Sequence, residues 1–179
     1  MITGATRFNL YLASVVVVAL MAGCRTAGDK KDKELATLRV HLQVIPESMD
    51  FSSTVPIGRK EPVMVTVDKA PFLTETEVAE AKVVDVPGGF DLQIKFNRRG
   101  TWLLESYTTT NPGKHFAVFS SFRDPKGKKQ SRWLGAPIQW RRISSGIFSF
   151  VPDATREEAE RIAVELNNVA RKNKEASKW

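Results

Sequence analysis

Seven short stretches of the chain are predicted to be β-strands: three of them alternate apolar and polar residues, the pattern of a strand that buries one face, and the others are short or rich in apolar residues. These stretches are 37–45, 62–69, 82–86, 90–96, 115–122, 133–140 and 143–151. Pro87, Gly88 and Gly89 separate the third stretch from the fourth, which predicts a hairpin. Pro137 interrupts the sixth stretch, as is typical of an edge strand. Residues 47–58 contain Ser, Pro and Gly and predict a loop.

Two helices are predicted in the middle of the chain, where capping residues precede apolar positions. Thr74 and Glu77 form a capping-box pattern, which predicts a short helix through about Ala81. Asn97 is placed to cap a second helix, and the turn residues at 111–113 end it.

A third helix is predicted near the C-terminus, where Thr155 and Glu158 form a second capping box. Its apolar stripe is Ala159, Ile162, Ala163, Leu166, Val169 and Ala170. Residues 171–179 are basic and are expected to fray. Short strands with interspersed helices predict an α+β fold, with an antiparallel or mixed sheet and two or three helices packed on one face.

The N-terminus has the organisation of a secretory signal peptide. Residues 1–7 are polar with one positive charge, and residues 8–22 are largely apolar. An apolar run of this length is short for a membrane span, which needs about 20 residues. Ala22 and Gly23 are small and precede Cys24, as at a cleavage site. Residues 1–23 are therefore predicted to be removed.

Cys24 supplies the thiol on which the diacylglycerol thioether of bacterial lipoproteins forms, and the segment before it resembles their lipobox. We therefore expect lipid attachment at Cys24 to hold the protein on a membrane, facing the periplasm. Arg25 is not the Asp that retains lipoproteins at the inner membrane of enteric bacteria, which favours the outer membrane. An uncleaved anchor helix with an incidental cysteine is the alternative.

The rest of the chain divides into a polar tether at 24–36, one small domain at 37–172 and a basic tail at 173–179. Only one of the 27 Lys and Arg residues precedes Cys24, so the exported part has 26 basic and 20 acidic residues, a net charge of +6. This excess favours anionic lipid head groups or acidic glycans, although it can also serve solubility alone. A single cysteine excludes an internal disulfide.

Several short motifs follow one another between about 61 and 170 in a characteristic order. They lie at 71–78, 90–96, 111–118, 136–138 and 155–166. In this order they resemble the head subdomain of the first large periplasmic domain of SecD and SecDF, membrane proteins that assist protein export. The resemblance implies an α+β fold and a periplasmic setting.

The departures from that family bear on function. No apolar run of membrane length follows Cys24, so the proton-driven transport of SecD and SecDF has no counterpart here. The family's glycine-rich turn is reduced to residues 144–146. The resemblance therefore implies a fold and does not carry over an activity.

Residues that could carry chemistry are sparse. His41 and His115 each stand alone on a predicted strand, and no catalytic or nucleotide-binding motif occurs. We therefore expect no enzyme activity and no cofactor.

One stretch combines aromatic and basic residues that could stack on sugars and pair with anions. It consists of Arg132, Trp133, Trp140, Arg141 and Arg142, and Lys126, Lys128 and Lys129 precede it. Export separates the protein from nucleic acid, so an anionic glycan, a lipid head group or an acidic protein is the expected partner. The alternative is two core tryptophans flanked by solvated arginines.

Two functions follow from these observations. The first is a non-enzymatic binding module at the membrane that holds an envelope protein or exported polypeptide, for which a sheet edge near Pro137 is a candidate. The second is a structural envelope lipoprotein that binds peptidoglycan or an envelope complex through its basic face. An apolar groove or a free strand edge favours the first, and exposed charge favours the second.

Overall fold

The computed structural model describes residues 35–45 and 51–176 of the chain. The strands are β1 Thr37–Leu42, β2 Ser52–Ile57, β3 Val63–Asp68, β4 Leu73–Thr74, β5 Val78–Val86, β6 Gly89–Phe96, β7 Lys114–Arg123, β8 Lys129–Gly135, β9 Ile138–Gln139 and β10 Ile147–Phe150. The helices are α1 Arg98–Thr110 and α2 Arg156–Ala176, with a 3-10 turn at Glu75–Glu77. The α+β class predicted from the sequence is confirmed.

The strands form three antiparallel sheets. The first has the order β4-β1-β7-β8, and β9 also pairs with β7. The second has the order β10-β6-β5, in which β5 and β6 form the hairpin that the Pro-Gly-Gly turn predicted. The third is the β2–β3 hairpin.

One face of the first sheet packs against the second sheet and both helices. Leu38 and Phe116 come from the first sheet, Ile94 from the second, Leu104 from α1 and Leu166 from α2, and all five are fully buried together. We call this cluster the main core. Because both helices contribute to it, they lie on the same side of the first sheet, as predicted.

The opposite face of the first sheet carries the β2–β3 hairpin over a smaller cluster. The cluster consists of buried Ile57, Val65, Val67 and Ala117, with Val55, Trp133 and Ala136 partly buried against it. We call it the hairpin cluster. A backbone hydrogen bond from Val44 N to Thr66 O, 3.0 Å long, joins the hairpin to the chain that leaves β1.

The prediction of a loop at 47–58 is wrong from Ser52 onward, because β2 occupies Ser52–Ile57. Val55 and Ile57 pair with Val65 and Val63 of β3 and turn toward the hairpin cluster. Serine and proline concealed this alternation in the sequence.

The helix predicted from Thr74 through Ala81 is also wrong beyond its first turn. The capping box forms, with Thr74 N donating to Glu77 Oε2 at 3.0 Å. The chain then becomes extended at Val78, because Val78 and Ala81 enter the main core as part of β5. Here tertiary burial overrides a local helix signal.

The second capping box begins α2, as predicted: Glu158 N donates to Thr155 Oγ1 at 3.2 Å, and Thr155 N donates to Glu158 Oε2 at 2.9 Å. The expectation that the chain frays from 171 is wrong for residues 171–176, which continue the helix. Asn167 fixes α2 to the edge of β5, because its side chain bonds Ala81 N and Ala81 O, both at 2.8 Å.

The last two predicted strands are shorter than expected. The stretch 133–140 becomes β8 and β9, separated at residues 136–137 where Pro137 stands. The stretch 143–151 contains only β10. The edge position predicted for the former is confirmed, since β8 ends the strand order of its sheet.

Candidate functional site

The five aromatic and basic residues singled out in the sequence lie at three separate places. Arg132 faces the main core side of β8, where its Nη2 donates to Glu158 Oε2 at 2.6 Å. Its guanidinium also lies 5.0 Å from the ring centre of Phe122. Burial acts to raise the pKa of Glu158, but Arg132 and the Thr155 N–H outweigh it and hold that pKa below its ordinary value. Arg132 therefore secures the first turn of α2.

Trp133 points to the opposite face of β8, because successive strand residues alternate. Its ring meets His41 edge-on at 5.2 Å and Phe119 at 5.3 Å. Trp133 therefore packs in the hairpin cluster and shares no surface with Arg132.

Trp140, Arg141 and Arg142 follow β9 in a loop that runs beside α1. Trp140 is 72% exposed and lies against Gly113, just past the end of α1. Arg141 is exposed. Arg142 forms an ion pair with Glu105 of α1. Of the five residues of the predicted patch, these three lie together at the surface.

Trp102 belongs to the same surface and was not recognised from the sequence. It is 66% exposed on α1 and lines a shallow cavity of about 340 Å³ with Glu105 and Arg142. Helix geometry could have identified Trp102 as exposed. It lies two residues before fully buried Leu104 and therefore about half a turn away from it around the helix.

A larger groove lies at the end of β8, beside the turn of the β2–β3 hairpin. It measures about 650 Å³, and its lining combines apolar residues with the charged residues Arg59, Lys60, Glu61 and Asp153. Of the apolar residues, Ile57, Leu134 and Pro152 are buried, and Gly135 and Val151 are more accessible. Val151 is 71% exposed and places an aliphatic side chain at the surface beside this groove. We call this feature the β8 groove.

An ion pair and a backbone bond shape the β8 groove. Arg59 Nε donates to Asp153 Oδ1 at 2.9 Å and joins the two walls. Asp153 N donates to Leu134 O at 2.6 Å, so the chain after β10 closes over the end of β8. Leu134 is the extra residue of a β-bulge between Trp133 and Gly135, which turns the strand at this point.

The outer edge of β8 has no neighbouring strand within residues 35–45 and 51–176. Pro137, near which the edge was expected, instead faces β7, since Phe116 N donates to Pro137 O at 3.0 Å. Because Asp153 N already bonds Leu134 O, the edge available for pairing lies along residues 129–133 and ends beside the β8 groove.

The two histidines serve the packing of the sheet. His41 Nδ1 donates to Asp68 O at 2.7 Å, and His115 Nδ1 donates to Ala136 O at 2.6 Å. Burial lowers the pKa of His41, and Arg39 adds to this, while the bond to Asp68 acts in the other direction. In the part of the chain that the structure describes, no three His, Cys, Asp or Glu residues are arranged to hold a metal.

Cys24 and the rest of residues 1–34 lie outside the described residues, as do residues 46–50 and 177–179. The predicted signal peptide, the lipid site and nearly all of the predicted tether therefore fall there. Ala36, the last residue of that tether, is described and is buried in the main core. Among the described helices, none is long and apolar enough to cross a bilayer.

Comparison with known proteins gives matches among solved structures only, since no family model and no curated protein matches the chain. One match is to a structure of SecDF described as a membrane component that enhances protein export, with a TM-score of 0.50 and 19% identity over 75% of this chain and 63% of that chain. Another is to SecDF in a super-membrane-facing form, with a TM-score of 0.51 and 18% identity over 76% of this chain and 20% of that chain.

The chain thus spans less than two thirds of the SecDF chains that it matches. At this level of identity the similarity is one of fold. It confirms that the domain resembles SecDF, as the order of the sequence motifs predicted.

Proposed function

We propose that this protein is a non-enzymatic binding module of the bacterial envelope, which holds extended polypeptide segments at the β8 groove and along the edge of β8. It is anchored by lipid on Cys24 and faces the periplasm, with the outer membrane favoured by Arg25. The observation that carries the proposal is a groove beside a strand edge, residues 129–133 of β8, that pairs with no other strand among the described residues.

This combination suits an extended chain for physical reasons. A strand added to β8 gains main-chain hydrogen bonds that do not depend on sequence, and its alternate side chains turn toward one face. At the groove, the exposed apolar side chain that such a segment would meet is that of Val151, beside Gly135. The fold shared with SecDF, one structure of which is described as enhancing protein export, agrees with a polypeptide partner.

Site-specific crosslinking tests this proposal. A photoreactive amino acid replaces Val151 in the groove, and a matched chain carries it at Val164, which is 60% exposed on α2. The probe is reduced, carboxymethylated lactalbumin, which stays unfolded. We expect adducts from position 151 that persist in high salt, because apolar contacts and backbone bonds are not screened. Equal yields from both positions would exclude the groove as the site.

The second candidate function is that of a structural lipoprotein which binds peptidoglycan or another anionic polymer through exposed cations. It is favoured by Arg141 and Arg142 beside Trp102 and Trp140. Binding of this kind weakens steeply with ionic strength. Cosedimentation with isolated peptidoglycan that is lost in R141Q/R142Q and in high salt would support it over polypeptide holding.

The anchor is tested by the intact mass of the protein purified from membranes. A mass equal to residues 24–179 plus diacylglycerol and an acyl chain, absent from a Cys24→Ser chain, is expected. A mass that retains residues 1–23 without lipid would show an uncleaved anchor and remove the argument from Arg25.

A further inference from the structure

The turn between β7 and β8 concentrates positive charge on one projecting hairpin. Arg123, Lys126, Lys128 and Lys129 are all exposed there, and we call these four residues the basic tip. No salt bridge to any of them occurs among the residues that the structure describes. The basic tip therefore exposes four positive charges at the surface of the domain.

Asp124 is the acidic residue of this turn, and its carboxylate is engaged within the turn. Oδ1 accepts bonds from Lys128 N and Lys126 N, both at 2.9 Å, and Oδ2 accepts one from Gln130 Nε2 at 3.1 Å. The Lys128 N–H, followed by the Gln130 and Lys126 donors, lowers the pKa of Asp124 despite the opposing effect of desolvation. The Asp124 carboxylate thus stabilises the turn, and its hydrogen bonds come from backbone and amide N–H groups, not from lysine ammonium groups.

The basic tip lies at the end of the sheet where the chain enters the domain. Thr37, the first residue of β1, pairs with Ser121 of β7, two residues before Arg123. Ser121 N donates to Thr37 Oγ1 at 3.1 Å, and Ser120 Oγ donates to Thr37 O at 2.8 Å. A chain arriving from Cys24 therefore meets the domain next to the basic tip.

The distance from the anchor is limited by the length of the chain. Twelve residues separate Cys24 from Thr37. Even fully extended, they cannot span more than about 45 Å. An anchor at Cys24 would therefore keep this end of the sheet within about 45 Å of the bilayer surface.

We propose that the basic tip docks on anionic lipid head groups and so orients the domain on its membrane. The inference rests on the membrane anchorage in the proposed function. A lipid anchor combined with a basic patch is a recognised two-part membrane attachment. Each Lys or Arg brought to an anionic membrane surface strengthens attachment by about fivefold.

The shape of the basic tip favours a lipid surface over a glycan or a peptide. The four side chains flank an exposed turn, and they do not line the β8 groove, the cavity beside Trp102 or the cavity beside Lys82. No aromatic side chain is exposed between residues 123 and 129. Point charges on a convex turn match a diffuse charged surface, whereas a shaped ligand needs a concave site.

Docking at the basic tip would place the polypeptide site away from the lipid. β8 runs from Lys129 at the tip to Gly135 at the β8 groove. Seven strand residues span about 20 Å. The groove would then open into the periplasm, where an exported chain is accessible.

Lysine footprinting on the intact protein tests this. The chain purified from membranes is reconstituted in vesicles of phosphatidylcholine, or of phosphatidylcholine with phosphatidylglycerol, and treated with a membrane-impermeant acylating reagent. Mass spectrometry then gives the rate at each lysine. Exposed Lys82, Lys95 and Lys172, which lie outside the β7–β8 hairpin, are internal controls in the same sample.

We expect Lys126, Lys128 and Lys129 to be acylated at least about fivefold more slowly on the anionic vesicles, with the protection lost in high salt. The control lysines should react at the same rate on both. Equal acylation rates of the tip lysines on the two kinds of vesicle would overturn the proposal, and so would equal slowing at all six lysines. Protection of the tip by a soluble polyanion on neutral vesicles, without protection by phosphatidylglycerol, would also overturn it.

The outcome is independent of the tests of the proposed function. Crosslinking from Val151 reports on polypeptide holding, and the intact mass reports on the anchor. An uncleaved segment at 8–22 would hold the chain on the vesicles as well, so the footprint remains interpretable if lipid is absent.

Discussion

The two faces of the first sheet are covered in different ways. One face contributes Leu38, Phe116 and Phe122 to the main core, where two helices and a second sheet close over them. Within the described residues, the other face is covered by the β2–β3 hairpin, and Trp133 and His41 pack in that contact. The first face therefore holds the fold together, while the second is a small docked unit whose stability depends on a few contacts.

This difference bears on function because the β8 groove lies partly in the weaker unit. Ile57 and Arg59 belong to the hairpin side, and Leu134 and Asp153 belong to the side attached to the main core. Local opening of a small unit costs less than global unfolding. We therefore expect the groove to widen when the hairpin moves, without loss of the core.

The largest effect expected is from Phe116→Ala. Phe116 is fully buried and its ring meets Phe72 at 5.1 Å, so removing it leaves a cavity in the main core. The free energy of unfolding should fall by about 4 kcal/mol. Val65→Ala, in the hairpin cluster, removes two carbon groups and should cost about 1.6 kcal/mol. Urea denaturation measures both, and similar losses would contradict the distinction between the two faces.

Trp133→Ala should act mainly on the hairpin. It removes the ring that touches His41 and Phe119, at a cost of about 2 kcal/mol because Trp133 is only partly buried. Hydrogen exchange should become faster in β2 and β3 and remain slow in α2. Trp133→Phe, which keeps an aromatic ring, is the control. Faster exchange throughout the domain would mean that the hairpin is not a separate unit.

Asn167→Ala tests how α2 is held on the side of the main core. It removes two hydrogen bonds and leaves Ala81 N and Ala81 O without their partner. The expected loss is about 1.5 kcal/mol in thermal or urea unfolding. Val164→Ala, at an exposed position on the same helix, should change little. Because alanine is the better helix former at both positions, helix propensity cannot cause a loss, and an equal loss in Val164→Ala would mean that the two hydrogen bonds of Asn167 are not its source.

The smallest effect is the pH dependence of the hairpin. Because burial lowers the pKa of His41 from its ordinary 6.5, the unfolded state binds the proton more readily than the folded state. The contribution of His41 is therefore complete above pH 6.5 and is lost as the pH falls through the folded-state value. The protection factors of the β3 amides, which are corrected for the intrinsic pH dependence of exchange, should fall on acidification. His41→Gln should remove that response, and a response that persists would belong to another group.

The sequence was informative wherever a local pattern and the tertiary environment agree. The stripe from Ala159 to Ala170 forms the buried face of α2, and both capping boxes form. The sequence was misleading where the local pattern and the tertiary environment disagree. The capping box at Thr74 indicates a helix, but burial of Val78 and Ala81 beside β6 requires a strand.

The candidate site could be predicted only in part, for a related reason. The sequence showed that Arg132, Trp133 and Trp140 are close along the chain, but strand alternation sends Arg132 and Trp133 to opposite faces. The β8 groove left no local signal, because Ile57, Leu134 and Val151 come from three distant segments.

By itself, then, the sequence determined the α+β class, most strand positions and the start of α2, since periodicity and capping act over a few residues. Tertiary structure alone decided which side chains face solvent, where the β8 groove opens, and that the basic tip stands at the end where the chain enters. Those features depend on which strands pair and which segments meet, and such contacts between distant residues leave no local pattern.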